Sequence, residues 1–337
     1  MKYARILLLK IEIYSLSFEN IILPIRDHIN AVNDVIIQSL QSDIPIINQI
    51  SSHIANGKGK KMRPILHLLI SGLIGKISHI NYQAASIIEF IHTATLLHDD
   101  VVDQSDKRRN VKTANAVFGN SASVLVGDFI YSRSFQMMVK IKDMQVMKIL
   151  ADATNKISEG EVLQLLNSHN SEITESEYYK VIEYKTAKLF EACGSIAAII
   201  NNTDKKTTEI CAKIGHHFGL IFQLTDDILD YSGKADEIGK NIGNDLSEGK
   251  VTLPIIFAIN AANDGQKKMI SNAIKMGDIN NLPDIIQIIE DNNIVSKVKV
   301  NAKYHLNEIK VLLDQLDKNP YKDIIIQLAE YSLNRKH

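Results

Sequence analysis

From Ile87 to Leu97 the chain reads Ile-Ile-Glu-Phe-Ile-His-Thr-Ala-Thr-Leu-Leu, with apolar residues at 87, 90, 91, 94 and 97. That three-to-four spacing is one stripe of an α-helix, so the segment predicts a helix with a buried face. The segments near 122–150, 151–168, 174–200 and 207–230 keep the same period. Sustained alternation is absent, and no Asn-Gly or Asp-Gly pair joins two alternating runs, so no sheet is predicted. The fold class expected is all-α. At 337 residues, two domains or one large single-core fold are both allowed.

Composition removes several functions. Lys+Arg is 38 against Asp+Glu 39, which leaves no basic excess for nucleic acid, and none is expected as a partner. Cys193 and Cys211 fit neither a disulfide framework nor a zinc pattern and read as small core residues of a reducing, cytoplasmic compartment. No apolar run approaches the roughly 18 residues of a membrane span. Lys2 and Arg5 precede Ile6-Leu7-Leu8-Leu9, but Lys10 and Glu12 interrupt the run; residues 1–20 read as an N-terminal extension and 21–337 as the working domain. Two stretches break the helical pattern: the basic 104–112 and the glycine-rich, charged 232–250, which reads as a functional loop. Residues 260–337 are helical in pattern and carry no recognisable chemistry.

One motif occurs twice, as Asp99-Asp100-Val101-Val102-Asp103 and Asp226-Asp227-Ile228-Leu229-Asp230. On a helix, Asp99 and Asp103 share a face, as do Asp226 and Asp230. Like charges at that spacing repel, and more so beside a partly buried cavity. A single copy reads as a solvated acidic helix end. Two copies, each running on from an apolar helix (Ala94–Leu97 and Leu220–Leu224), instead read as a site for a hard cation. Gly59-Lys60-Lys61-Met62-Arg63-Pro64, Arg108-Arg109, Lys185, Lys240 and Lys250 supply cations. Aspartates with scattered cations suit a metal–diphosphate substrate, with Arg and Lys holding the remaining oxygens.

These motifs resemble the trans-polyprenyl diphosphate synthase family across about residues 21–337. The resemblance is carried, in order, by Gly59–Pro64, by Phe90-Ile91-His92-Thr93-Ala94-Thr95-Leu96-Leu97-His98 running into the first aspartate motif, and by Arg108-Arg109. Lys185-Thr186, Phe222-Gln223-Leu224-Thr225-Asp226-Asp227-Ile228-Leu229-Asp230-Tyr231 and the loop Gly239–Lys250 complete it. It implies a single large helical bundle around a central cavity (the isoprenoid synthase fold), a homodimer, and Mg²⁺ held between the aspartate motifs. By the resemblance, Asp99, Asp103, Asp226 and Asp230 are metal ligands, with Asp100 and Asp227 behind them; the catalytic set adds Lys185. Arg108, Lys185, Thr186, Gln223, Lys240 and Lys250 would hold the allylic diphosphate, and Lys60, Arg63, His92 and Arg109 isopentenyl diphosphate. Asn110 stands where the family usually has Gly, and Met62 where it usually has Leu.

The reaction implied is ionisation of the allylic C–O bond, attack by the isopentenyl double bond and loss of a proton. The product tail would descend past Thr95, Ala94, Ile91 and Ile88, about one isoprene unit per helical turn of ~5.4 Å. Ala94 and Thr95 are small where short-chain members carry a bulky aromatic, so a long-chain, quinone-type product is expected. The run 91–98 also resembles bacterial long-chain enzymes of octaprenyl or decaprenyl type. A farnesyl- or geranylgeranyl-chain synthase is the alternative. His92 lies seven residues, two turns, before Asp99 and shares its face. His98 reads as structural, and His216-His217 as core or interface. A class I terpene synthase would lack the second aspartate motif, a His-Asp phosphohydrolase would leave it unexplained, and a non-catalytic subunit would tend to lack one copy. A lipid-soluble product makes brief contact with a membrane surface an expected partner interaction.

Overall fold

The structure is a computed structural model and describes residues 17–55, 59–108, 111–232 and 242–335. It is helical almost throughout. α1 (Phe18–Ile22) is capped by the Ser17 hydroxyl and leads through a 3₁₀ turn into α2 (Arg26–Ser39). α3 (Pro45–Ala55) and α4 (Met62–Ile74) follow, and all of α4 except its last residue is buried. The boundary drawn after residue 20 falls inside α1, where Phe18 packs on Tyr331 with ring centroids 5.5 Å apart.

α5 (His79–Val102) opens with a reciprocal cap between Ser78 and Asn81. Its stripe of Ile87, Phe90, Ile91, Ala94 and Leu97 is buried, as the periodicity predicts. Lys107–Arg108 and Val111–Lys112 pair as a two-residue antiparallel ladder (β1 and β2), a sheet element that the helical pattern did not foresee. So few residues carry no alternation to read.

α6 (Ala114–Phe118), α7 (Asn120–Ile141) and α8 (Met144–Asn167) come next. The single segment expected over 122–150 is broken between α7 and α8. Lys142 takes a left-handed φ of 58°, and the Asp143 carboxylate accepts from the amides of Gln145 and Val146 to start a new helix. Residues 174–200 likewise divide, into α9 (Glu175–Ile182), one π-helical turn (Glu183–Ala187) and α10 (Lys188–Ile200).

α11 (Lys205–Ser232) has 28 residues, about 42 Å at 1.5 Å per residue, and packs most extensively against α10. Phe190 of α10 meets Phe218 and Phe222 of α11 at 5.4 and 5.6 Å. Cys193 and Cys211 are buried between these helices, and burial pushes both thiols up to about 12, as expected of inert core residues. The short α12 (Asn244–Ser247), then α13 (Leu253–Ala261), α14 (Asp264–Met276), α15 (Leu282–Asp291), α16 (Ile294–Asp314) and α17 (Tyr321–Asn334) close the bundle. No described helix is long and apolar enough to cross a membrane.

Candidate active site

Both aspartate motifs end long helices: Asp99 and Asp100 lie in the last turn of α5 with Asp103 as its C-cap, and Asp226–Asp230 lie in the last turns of α11. A helix C-terminus already carries partial negative charge, so acidic residues there cost stability. The surrounding elements answer with cations. Lys185, from the π turn, places Nζ 3.5 Å from Asp99 and 2.6 Å from Glu161 of α8. Arg108 donates from Nε and Nη2 to Asp100, at 2.9 and 2.7 Å. Lys250 reaches Asp103 at 2.9 Å and Glu248 at 2.5 Å.

The second motif is held differently. Asp227 is 2% exposed and accepts from the Tyr178 hydroxyl and, at 2.8 Å, from Gln223 Nε2. Burial, with Asp245 nearby, pushes its carboxyl up to about 8 against those two hydrogen bonds. Asp226, half exposed, meets Arg335 Nη2 at 2.5 Å. Asp230 accepts from the backbone amides of Asn244 and Asp245 at 3.2 and 3.0 Å, which anchors the start of α12.

Two polar chains connect the helix ends. In one, Asp99 contacts Lys185; the next residue, Thr186, donates to Gln223 Oε1 at 2.7 Å, and Gln223 holds Asp227. In the other, Asp103 contacts Lys250, whose backbone N–H donates to the Asp245 carbonyl at 2.7 Å, and the Asp245 amide is bound by Asp230. The two acidic ends are therefore linked, through Lys185-Thr186 and through the Lys250 backbone. Both lysines are about four-fifths buried. Burial alone would lower the Lys250 pKa, but Glu248, Asp103 and Asp245 outweigh it and raise it.

Of the residues expected around isopentenyl diphosphate, Lys60 and Arg63 lie over neighbouring aromatic rings. Arg63 is buried with its guanidinium 4.4 Å from the Phe190 ring centre. Arg335 lies 4.1 Å over Phe222, which touches Phe190. Lys60 donates to the Tyr331 hydroxyl at 2.6 Å. His92 is half-buried on α5. Arg109 and Lys240 lie outside the described residues. Ile91 and Ala94 are buried, and Thr95 is half-buried with its hydroxyl bonded to the His92 carbonyl at 2.8 Å, so its methyl is the part left to line a path. His98 turns away toward Asp128 and the Val124 carbonyl, both at 3.3 Å.

The sequence reading missed Glu161, Glu248, Tyr178 and Arg335. Glu161 follows Gly160, a glycine inside a long helix, and that was a usable signal. A Cβ at Gly160 would lie 2.7 Å from the Lys185 amide nitrogen, so only glycine lets α8 approach the π turn this closely. Tyr178 and Arg335 left no local mark, being brought in by tertiary packing. Among the described residues, no three His, Cys, Asp or Glu side chains converge closely enough to hold a metal ion by themselves.

A family model described as polyprenyl synthetase matches residues 44–291. The chain belongs to the polyprenyl synthetase family. It is 41% identical to the octaprenyl diphosphate synthase of Haemophilus influenzae over 307 residues, 91% of this chain and 93% of that one. It is 36% identical to an all-trans-nonaprenyl-diphosphate synthase (geranyl-diphosphate specific) of Rhodobacter capsulatus, over 94% of this chain and 98% of that one. Among solved structures, a polyprenyl synthase from Caulobacter crescentus complexed with calcium and isoprenyl diphosphate superposes with a TM-score of 0.92 at 34% identity, covering 96% of this chain and 99% of that one. The polyprenyl synthetase fold is all-α, as the periodicity predicts, and the chain is a prenyltransferase of this family.

Proposed function

We propose that the chain condenses isopentenyl diphosphate with farnesyl or geranylgeranyl diphosphate to an all-trans polyprenyl diphosphate of about C35–C50, with about C40, the octaprenyl length named for a relative, as the best single value. The observation that carries the reading is the pair of polar chains joining the two acidic helix ends through Lys185 and Lys250. Asp99, Asp103, Asp226 and Asp230 suit Mg²⁺, a hard ion that takes one or two carboxylates and completes its shell with phosphate oxygens. Mg²⁺ would draw electron density toward the leaving diphosphate. Lys185, Lys250 and Arg108 would add fixed positive charge at the same oxygens. Lys60, Arg63 and His92 would align isopentenyl diphosphate, so that its double bond attacks the allylic carbon as the C–O bond breaks. A proton then leaves the new chain; the departing diphosphate is the acceptor, and no protein base is assigned.

The products named for the relatives are long-chain. Small Ala94 and Thr95 agree with that, and a quinone side chain is the fate proposed. Exposed Leu125, Phe135 and Val139 on α7, with Val162, Leu165 and Leu166 on α8, favour a homodimer through these two helices. A cytoplasmic enzyme with brief membrane contact at product release completes the reading. Incubating purified protein with labelled isopentenyl diphosphate, farnesyl diphosphate and Mg²⁺, then chromatographing the dephosphorylated products, should give a long all-trans alcohol near eight isoprene units. Products of four units or fewer would support the shorter-chain alternative, and none at all would end the reading. Ala94→Tyr should shorten the product, and an unchanged length would refute this route for the tail.

A further inference from the structure

Lys250 is held from behind by an unusual junction of three turns. α8 ends at Asn167, and two residues later His169 takes a left-handed φ of 64°, a conformation with a steric cost for a side chain other than glycine. In that conformation its backbone N–H donates to the Gly249 carbonyl at 2.8 Å. Its ring Nδ1 lies 2.9 Å from the Ile274 carbonyl, near the end of α14, which makes Nδ1 the donor. The ring fills the space that a side chain at position 249 would need, since a Cβ on Gly249 would lie 2.4 Å from Nδ1. Gly249 itself has a φ of 67°. One residue thus joins three turns: its backbone N–H holds the Gly249 carbonyl, while its ring bonds to the end of α14 and packs against Gly249, the residue before Lys250.

We propose that His169 is the positioning residue for Lys250, and so sets where that ammonium stands against Asp103 and the allylic diphosphate. This rests on the reading that Lys250 holds that diphosphate. The geometry leaves little slack: Lys250 is about four-fifths buried and fixed between Asp103 and Glu248. A turn free to shift by an ångström would lose the 2.9 Å contact, and misplacement on that scale is enough to weaken binding markedly.

The test uses the whole enzyme with Mg²⁺ and steady-state kinetics for both substrates. His169→Ala should raise KM for the allylic diphosphate about tenfold and leave KM for isopentenyl diphosphate within about twofold. His169→Asn tolerates the left-handed conformation and has a side-chain N–H to donate, so it should restore most of the loss. Lys250→Met alone should raise the allylic KM, and adding His169→Ala to it should change that KM little further, because both act through one group. Hydrogen exchange of the 244–250 amides, read without substrate, should speed up in His169→Ala and return in His169→Asn. If Lys250→Met changes the allylic KM and His169→Ala does not, His169 has no positioning role and the proposal is overturned. If Lys250→Met itself leaves the allylic KM unchanged, the reading of Lys250 fails, while faster exchange in His169→Ala would still show the pin on the turn. Equal rises in both KM values, or additive losses with Lys250→Met, would reduce His169 to a general stability residue and equally overturn the proposal.

Discussion

The two copies of the aspartate motif share a sequence pattern and a place, the C-terminal end of a long helix, yet their carboxylates are balanced by different means. In the first copy each aspartate faces a cation from another element: Lys185 for Asp99, Arg108 for Asp100 and Lys250 for Asp103. In the second, Asp226 meets a cation, Arg335. Asp227 is held by a phenol and an amide, and Asp230 by backbone amides. The middle residues differ most. Asp100 and Asp227 are both buried, and burial raises both pKa values, but Arg108 opposes the rise at Asp100 while the Tyr178 and Gln223 donors oppose it at Asp227. One motif is therefore an array of charge pairs. The other carries charge mainly at its rim, around a carboxyl that tends to keep its proton.

If both copies must grip the same substrate, removing the outward carboxylate of either should be equally severe. Asp99→Ala and Asp226→Ala should each lower turnover about 10³-fold with excess Mg²⁺, roughly 4 kcal/mol of transition-state stabilisation. Steady-state rates check it. Near-wild-type turnover in either variant would break the symmetry of function, and with it the assignment of that motif.

The middle residues should then separate the copies by stability. Arg108→Met strands the Asp100 carboxylate in a buried place, and since Arg108 is itself about a third exposed the loss should be about 2–3 kcal/mol. Tyr178→Phe removes one neutral donor from Asp227 and should cost about 1 kcal/mol. Urea unfolding of the metal-free proteins measures both. Equal losses would mean that the two buried carboxyls carry the same charge.

Much of this was legible before the fold was known. The stripe from Ile87 to Leu97 gave α5 its buried face, and the repeated aspartates marked the two helix ends. The asymmetry between the copies was not legible. Tyr178 lies 49 residues from Asp227, and Arg335 lies 109 from Asp226. No local pattern links such pairs, because only packing brings them together. The π turn was hidden for another reason. Glu183–Ala187 holds only Tyr184 and Ala187 as apolar residues, too few for a change of period to show in the sequence. That turn carries both Lys185 and Thr186, so an irregularity invisible in the sequence sits where the two motifs are joined.

The finest distinction is a slope, worth at most about 1.4 kcal/mol per pH unit for one proton. Asp227 has a pKa of about 8 in the folded chain against 3.8 for the free group. Between these values the folded protein keeps a proton that the unfolded chain has released. Stability from this residue therefore falls as pH rises through that window and levels off above about 8. Asp227→Asn cannot ionise and escapes this penalty. In urea titrations with chelator from pH 4 to 9, the variant should gain on the wild type as pH rises, with the gain ending near pH 8. A gap between variant and wild type that is independent of pH would mean that Asp227 ionises normally in the folded chain. The second motif would then need a cation at its centre, as the first has in Arg108, and the contrast between the copies would reduce to which element supplies it.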